Sequence, residues 1–386
     1  MRSLSIAAYL ALKEVWRNRG RFLLVSLVIA LITLLVLFIA ALGEGLATAN
    51  RQYVSGIDAQ LIVFLQKSDY SISSSQLQVN TVNQVRRVDG VAAAGPIYTS
   101  TTEVEASKKP IKVSLLAALP GQPGMPPIIS GRAFHTGDSE EVVIDKNAQL
   151  QTGFQIGDVM TVRSTQGGTD EFFYLRVAGI VENQAYFFQP TIFTSPTTWE
   201  KIRPQSAADL KDDTPYPNII AVKLSDPSQI AAMKKQLLAK VPNIEVADIP
   251  TTINNIPGYT AQQGTVQTQG VFTLLIGILV IGGFFQIQIL QKVPQIGVLK
   301  AIGSTNGTVG ASAVIQIIII TAMGVGIGGG LTYLLSLSFP PTIPLIFNGT
   351  SSLFAIIALL LIGPLGGLVS VIYAVRIEPL KALRLQ

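Results

Sequence analysis

Residues 301–375 contain no Asp, Glu, Lys, Arg or His. A soluble domain needs charged residues at its surface over such a length, so this stretch cannot fold as one. A hydrocarbon layer about 30 Å thick is crossed by ~20 helical residues. The stretch therefore predicts two membrane-spanning helices, 308–337 and 351–375, joined by an external loop at 338–350.

Two earlier apolar runs, 22–47 and 268–290, are also long enough to cross a membrane. Ala47-Thr48-Ala49 looks like a signal-peptide cleavage site, but the apolar core before it, 22–43, is longer than the roughly 7 to 15 residues of a signal. We therefore read the first run as a retained anchor. The chain is predicted to be a polytopic α-helical membrane protein with four transmembrane helices.

Lysine and arginine flank the apolar runs, and this bias sets the predicted orientation. The N-terminal segment 1–21, the loop 291–307 and the tail 376–386 are predicted to be cytoplasmic. Residues 48–267 are then external, and they carry 18 basic against 20 acidic residues. The net charge of +5 thus reflects membrane topology, and no nucleic-acid partner is expected.

The region 48–267 alternates short β-rich runs with helical patterns, which indicates an α+β domain inserted between the first and second spans. Predicted strands are Gln60–Leu65, Glu141–Ile144, Val159–Arg163 and Phe172–Ile180. Predicted helices are Gln76–Val88 and Pro227–Val241, the second beginning after Asp226 with proline in its first turn. Ahead of the first span, Ile6–Trp16 has apolar residues at helical spacing and predicts an interfacial amphipathic helix.

The residue inventory excludes several kinds of chemistry. The chain has no cysteine and one histidine, His135, so neither a metal site nor a catalytic site is expected. No G-x-x-x-x-G-K-[ST] motif occurs, so this chain is not the hydrolase of a nucleotide-driven system. No predicted span has an ionisable residue in its interior, which disfavours proton-coupled carriers and intramembrane proteases.

Four residues near the predicted outer surface are candidates for substrate entry: Glu44, Tyr259, Phe38 and Phe272. A carboxylate and a phenol beside apolar walls suit an amphipathic ligand. Two simpler interpretations remain open. Glu44 could mark where the helix leaves the bilayer, and Tyr259 could be an interfacial anchor.

The segment Gln291–Gly303, QKVPQIGVLKAIG, lies between two spans and resembles the coupling segment of the FtsX/MacB-like permeases, the type VII ABC transporter membrane subunits. Three further pieces resemble that family: Ala11–Leu23 at the start, Gly153–Val162 in the external domain and Arg376–Arg384 at the end. Ile256-Pro257-Gly258-Tyr259 is similar to haem-exporter permeases, and the glycolipid exporter permeases of cyanobacteria are also similar. One departure is that Gln291 and Gln295 stand where the family usually has an acidic residue.

The resemblance implies a homodimeric permease subunit of an ABC exporter in the bacterial plasma (inner) membrane. Two copies of a separate ATPase would bind ATP and Mg, and this chain would bind no cofactor. ATP hydrolysis would be coupled by mechanotransmission to export or extraction of a lipid, haem or hydrophobic toxin. Membrane lipids are expected partners, and a periplasmic adaptor is an open further one. The alternative is an FtsX-like mechanotransmitter that moves no substrate and regulates an external partner such as a cell-wall hydrolase.

Within the resemblance, the ATPase-coupling residues are predicted to lie in a short helix from Pro294 to Ile302 that stops at Gly303. They are Lys292, Pro294, Ile296, Gly297, Leu299, Lys300 and Ile302. A loop that only joins two spans rarely needs so many apolar residues close to water. We therefore expect Ile296, Leu299 and Ile302 to insert into a groove on the ATPase.

Overall fold

The computed structural model describes residues 2–106, 109–137, 139–206, 215–339 and 343–378, with side chains from residue 7 onward. Most of the predicted tail 376–386 and part of the predicted loop 338–350 lie outside the described residues. The chain divides into two compact units. Unit 1 comprises Met1–Gly45 and Gln263–Gln386, and unit 2 comprises Leu46–Gln262.

Helices and strands are numbered in chain order. The helices are α1 Arg2–Arg17, α2 Arg19–Gly56, α3 Val79–Arg86, α4 Lys146–Thr152, α5 Pro196–Ile202, α6 Ile230–Lys240, α7 Ile249–Asn254, α8 Tyr259–Ala301, α9 Asn306–Ser336 and α10 Gly349–Arg376. The strands are β1 Leu61–Leu65, β2 Val91–Val104, β3 Ile111–Ala117, β4 Ile128–Gly131, β5 Glu141–Asp145, β6 Val159–Gln166, β7 Thr169–Val181, β8 Thr191–Thr194, β9 Ile219–Leu224 and β10 Ile244–Asp248.

Four helices among the described residues are long and apolar enough to cross a membrane: α2, α8, α9 and α10. α2, α8 and α10 each contain one of the predicted spans, and α9 ends one residue before the predicted end at residue 337. α2 and α8 are much longer than the apolar runs that identified them. The polar ends of these two helices continue beyond the apolar run, where hydropathy alone no longer indicates a helix. The membrane boundaries of the spans therefore stay a prediction.

The coupling segment differs from its predicted form. A separate helix beginning at Pro294 is not observed, because α8 runs through this proline to Ala301. Proline removes one backbone hydrogen bond but does not have to end a helix that its neighbours hold in place. Gly303 does stop the helix: its φ is 102°, and the amides of Gly303 and Ser304 donate to the carbonyls of Lys300 and Leu299 at 3.0 Å.

Glycines let the helices of unit 1 approach closely. A Cβ on Gly366 of α10 would lie 2.6 Å from the carbonyl oxygen of Ile278 in α8. A Cβ on Gly328 of α9 would lie 2.5 Å from the carbonyl oxygen of Ala30 in α2. Lipid provides no hydrophobic driving force between helices, so backbone contact of this kind is a main source of their association. Gly328 of α9 and Gly366 of α10 thus serve packing within the chain.

Unit 2 is built on a ten-stranded mixed sheet with the order β10-β1-β9-β2-β3-β8-β5-β7-β4, and β6 pairs with both β2 and β7. The pairs β3·β8 and β5·β7 are parallel, and the remaining pairs are antiparallel. Apolar residues on the strands form three buried clusters with the helices. One of them includes Tyr53 from the last turns of α2, whose hydroxyl donates to the carbonyl of Gly124 at 2.9 Å.

The four predicted strands are confirmed as β1, β5, β6 and β7. The second predicted helix is also found, as a short 3-10 turn at Pro227–Gln229 followed by α6, with the Asp226 side chain capping its start. Other strands lack a clear sequence signal. β9 is buried on both faces and does not alternate, and β2 contains Gly95-Pro96, which mimics a turn.

Asp145 is a buried carboxylate at the end of β5. It caps α4 by accepting from the amide of Ala148 at 2.6 Å, and its second oxygen accepts from the amide of Gln184 at 3.0 Å. Burial raises the pKa of Asp145 to about 6, although these amides act in the opposite direction. Glu141 at the other end of β5 behaves differently, because its hydrogen bond to Arg132 lowers its pKa to about 2.

We expect the free energy of unfolding of unit 2 to fall as the pH rises from 4 to 6. In this window the folded state holds a proton on Asp145 that the unfolded state releases, and the raised pKa from 3.8 to about 6 corresponds to on the order of 3 kcal/mol. Glu141 contributes in the opposite direction, and only below its ordinary value of 4.5. Asp145→Asn should flatten the slope between pH 4 and 6.

The measurement is denaturant unfolding followed by Trp199 fluorescence in a Trp16→Phe background, since these are the two tryptophans of the chain. Asp145→Asn should also lose stability overall, because its amide nitrogen cannot accept from Gln184, so the slope is the readout. Asp89→Asn, at an exposed carboxylate, is the matched control. An unchanged slope in Asp145→Asn would contradict the assignment.

Candidate functional site

The last turns of α8 carry the predicted coupling residues, and their side chains point in different directions. Ile302 is 77% exposed and Val298 is also exposed. Ile296 is 8% exposed and belongs to a small cluster with Ile289, Ala313 and Ala374 of unit 1. Ile296 therefore packs inside the chain, whereas Ile302 is available for contact with another molecule.

The two predicted coupling lysines are engaged within unit 1. The Lys300 ammonium donates to the carbonyls of Val375 at 2.7 Å and Ile377 at 2.9 Å, at the C-terminal end of α10. A cation at that end satisfies carbonyls that have no partner inside the helix and complements the helix dipole. Lys300 thus ties the end of α8 to the end of α10.

Lys292 is at the centre of a polar contact that joins three helices. Its ammonium forms an ion pair with Glu14 of α1 and donates to the Gln316 Oε1 of α9 at 3.2 Å. The Gln316 Nε2 donates to Glu14 at 2.6 Å, which closes the set, and the Lys292 ammonium lies 5.5 Å from the centre of the Phe22 ring. Each charged or polar group is paired, which is the condition for placing them in a partly buried site.

Sequence reasoning did not identify Glu14 and Gln316 as members of this site. Glu14 appears in the sequence only as a carboxylate among basic residues, and Gln316 as a polar residue in an apolar run. Their positions in the sequence do indicate that each needs a polar partner. Gln316 is a lone amide within a predicted span, and Glu14 is an acidic residue on a predicted amphipathic helix. The sequence gives no indication of which partner.

The four residues predicted as candidates for substrate entry differ in how far their side chains are buried. Tyr259 is 6% exposed and belongs to the core of unit 2, which favours its interpretation as a structural residue. Phe272 is exposed, and Phe38 contacts Phe339 with a ring-centre separation of 5.6 Å. Glu44 is partly exposed. It lies three residues after Ala41, whose carbonyl accepts a hydrogen bond from the amide of Ile346 at 3.1 Å.

No group of three or more His, Cys, Asp or Glu side chains that could hold a metal ion occurs in the described part of the chain. His135 is exposed, and its Nδ1 lies 2.9 Å from the Glu141 Oε2. Glu141 also pairs with Arg132, so this cluster is an ion-paired surface turn. The arrangement offers no nucleophile and general base in contact, which is what covalent or acid–base catalysis would require.

Comparison with known proteins identifies two family domains. The MacB-like periplasmic core domain matches residues 22–240, and the FtsX-like permease C-terminal domain matches residues 269–379. The crystal structure of the extracellular domain of the ABC-type transporter YknZ from Gram-positive bacteria is 14% identical with a TM-score of 0.36, and covers 49% of this chain and 99% of that one. The periplasmic region of MacB from Actinobacillus actinomycetemcomitans is 16% identical with a TM-score of 0.35, and covers 53% and 97%.

Full-length relatives extend the similarity to both units. A putative hemin transport system permease protein HrtB of Staphylococcus haemolyticus is 24% identical over 374 residues, covering 97% of this chain and 98% of the relative. An uncharacterized ABC transporter permease of Mycobacterium bovis is 24% identical over 378 residues, with the same coverage. The expected family is thereby confirmed: the chain belongs to the MacB-like and FtsX-like family of ABC transporter permeases, which are multi-pass proteins of bacterial membranes.

Proposed function

We propose that this permease is the membrane subunit of an ABC exporter that moves an amphipathic molecule of the hemin type, driven by a separate ATPase. The observation that carries the proposal is the end of α8, where exposed Val298 and Ile302 project from a helix end held by Lys292 and Lys300. An exposed apolar helix end that is held in place by the rest of unit 1 is suited to transmit a displacement from a partner. The sequence contains no P-loop motif, which supports a separate partner that supplies the nucleotide site.

The proposed contact with the ATPase is narrower than the sequence alone predicts. Ile302 and Val298 would enter the groove of the ATPase, with Gly303 allowing the sharp turn after them. Ile296 would support the tip from inside unit 1, and Lys292, Pro294, Gly297 and Lys300 would hold it in place. Two such contacts would form in a homodimer with two ATPase subunits.

The proposed transmission of force uses the long helices. α2 and α8 are continuous helices that each have residues in both units. The boundary between the units falls between residues 45 and 46 in α2 and between residues 262 and 263 in α8. A continuous helix can pass on a displacement along its axis better than a flexible linker can. Closure of the ATPases would thus act on unit 2 through these two helices.

The proposed substrate class rests on the relatives and on the outer candidates. The Staphylococcus haemolyticus relative is described as a hemin transport permease. Hemin has a flat apolar body and ionised groups at one side. Phe38 and Phe272 offer aromatic surface, and Glu44 offers a carboxylate that could orient a polar end. The proposed direction is outward, with the N-terminus and the tail in the cytoplasm.

We expect Ile302→Asp to uncouple the transporter. Burying an isoleucine side chain at an interface contributes about 1.5 to 3 kcal/mol, so its replacement by a charged residue should weaken ATPase binding tenfold or more. The measurement is co-purification of the ATPase with the permease in lipid nanodiscs, together with hemin-stimulated ATP hydrolysis. Because Ile302 is exposed, the fold should be unaffected.

Leu238→Asp is the matched control, since Leu238 is an exposed apolar residue on α6 of unit 2. It should leave both readouts at the wild-type level. Ile296→Asp should reduce expression instead, because it places a charge in a buried cluster. An Ile302→Asp complex that stays intact with full stimulation would show that α8 is not the coupling point.

A second prediction concerns substrate entry. Glu44→Gln should reduce hemin-stimulated ATP hydrolysis several-fold while leaving basal hydrolysis unchanged, because it removes the charge and keeps the shape. Tyr259→Phe should retain stimulation, since Tyr259 lies in the core of unit 2. If Glu44→Gln retains full stimulation at wild-type expression, Glu44 has only a structural role.

A further inference from the structure

A cavity of about 370 Å³ opens in unit 1 between α1, the end of α8 and the start of α9. Its lining combines basic side chains with an apolar wall. Lys13, Arg17 and Lys292 contribute three cations against the single carboxylate of Glu14. Leu299 and Val309 belong to the apolar part of the lining. The cavity therefore favours an anionic group attached to an apolar body.

The charges of the cavity are not fully balanced within the chain. Glu14 is already paired with Lys292 and hydrogen-bonded to Gln316. Among the described residues, no carboxylate forms an ion pair with Lys13 or Arg17. Lys13 contacts the ring of Tyr9 at 5.6 Å, which places its ammonium beside an aromatic face but provides no counter-charge. Two cations at the cavity thus remain available to an anion.

A neighbouring face of α1 indicates where the cavity lies. Tyr9, Leu12 and Trp16 occupy one stripe of the helix and are 62%, 59% and 78% exposed. Aromatic and aliphatic residues on one face of a basic helix are typical of a helix lying at the level of lipid headgroups. The cavity is on the protein side of this helix, so its natural neighbours are lipid headgroups of the same leaflet.

We propose that the cavity binds the phosphate headgroup of an anionic phospholipid. Lys13 and Arg17 would pair with the phosphate, and the hydroxyl of Ser312 in the lining would donate a hydrogen bond. The apolar wall would accept the glycerol end of the acyl chains. A bound lipid would join α1 to α8 and α9 at the place where Glu14 and Lys292 already join them. This inference goes beyond the proposed transport function and does not depend on it.

Three properties favour a lipid over a free phosphate or a segment of the ATPase. The lining is partly apolar, which a free phosphate does not need. The exposed stripe of α1 would place the cavity among headgroups. The exposed tip of α8, by contrast, is formed by Val298 and Ile302, and neither of them lines the cavity. The test below distinguishes the lipid from a free phosphate and from a segment of the ATPase.

The test uses the full-length chain in mild detergent, without the ATPase, and measures lipid retention by native mass spectrometry. Wild type should retain one phosphatidylglycerol per chain in preference to phosphatidylcholine. Lys13→Gln with Arg17→Gln should weaken this retention tenfold or more. The matched control removes two cations that do not line the cavity, Arg19→Gln with Arg376→Gln, and should change retention less than twofold.

A second variant separates the cavity from general surface charge. Ser312→Phe fills the cavity and leaves every charge in place, so it should also lose the bound lipid. Equal retention of both lipids by wild type would overturn the proposal without any variant. Displacement of phosphatidylglycerol by millimolar inorganic phosphate would show a free-anion site instead. Retention of the lipid by both cavity variants would overturn the proposal. If the same variants also lose the ATPase in a separate co-purification, the cavity is a protein-docking site.

Discussion

The polar contact of Glu14, Lys292 and Gln316 joins three helices of unit 1. It brings a carboxylate from α1, an ammonium from α8 and an amide from α9 into one closed set of hydrogen bonds. Removing Glu14 or Lys292 would leave the other charge without its ion-pair partner in a partly buried place, which costs far more than the pair itself contributes. The amphipathic helix α1 is therefore held against α8, which carries the coupling segment, and against α9.

Two kinds of contact hold the helices of unit 1 together: close backbone contacts at glycines and polar contacts of lysines at the helix ends. Close backbone approach at Gly328 and Gly366 brings α2 to α9 and α8 to α10, where lipid-facing side chains alone give little preference for one partner over another. Lys292 and Lys300 then fix the ends of the helices at the predicted cytoplasmic side. The side chain of Ile302 projects from this supported helix end, as the proposed contact with the ATPase requires.

Unit 2 shows how a mixed sheet can tolerate a buried charge. Asp145 ends a central strand and caps the next helix, and amide hydrogen bonds replace the water that its carboxylate gives up. Burial still dominates its pKa, so unit 2 retains a titrating group near pH 6. Glu141 at the start of the same strand has its pKa lowered by an arginine. The pKa values of two carboxylates on one short strand are thus shifted in opposite directions because their surroundings differ.

The sequence by itself determined the four spans, the α+β character of the region between the first two, and the stop at Gly303. Each of these follows from local properties: an uncharged run, alternating hydrophobicity and a glycine, the residue that most readily adopts a positive φ. Tertiary structure alone decided which side of α8 is exposed, that the side chains of Ile296 and Tyr259 are buried, and that Lys292 pairs with Glu14. Residues 14, 292 and 316 are far apart in the chain. Their proximity depends on how whole helices pack, and no local pattern encodes that.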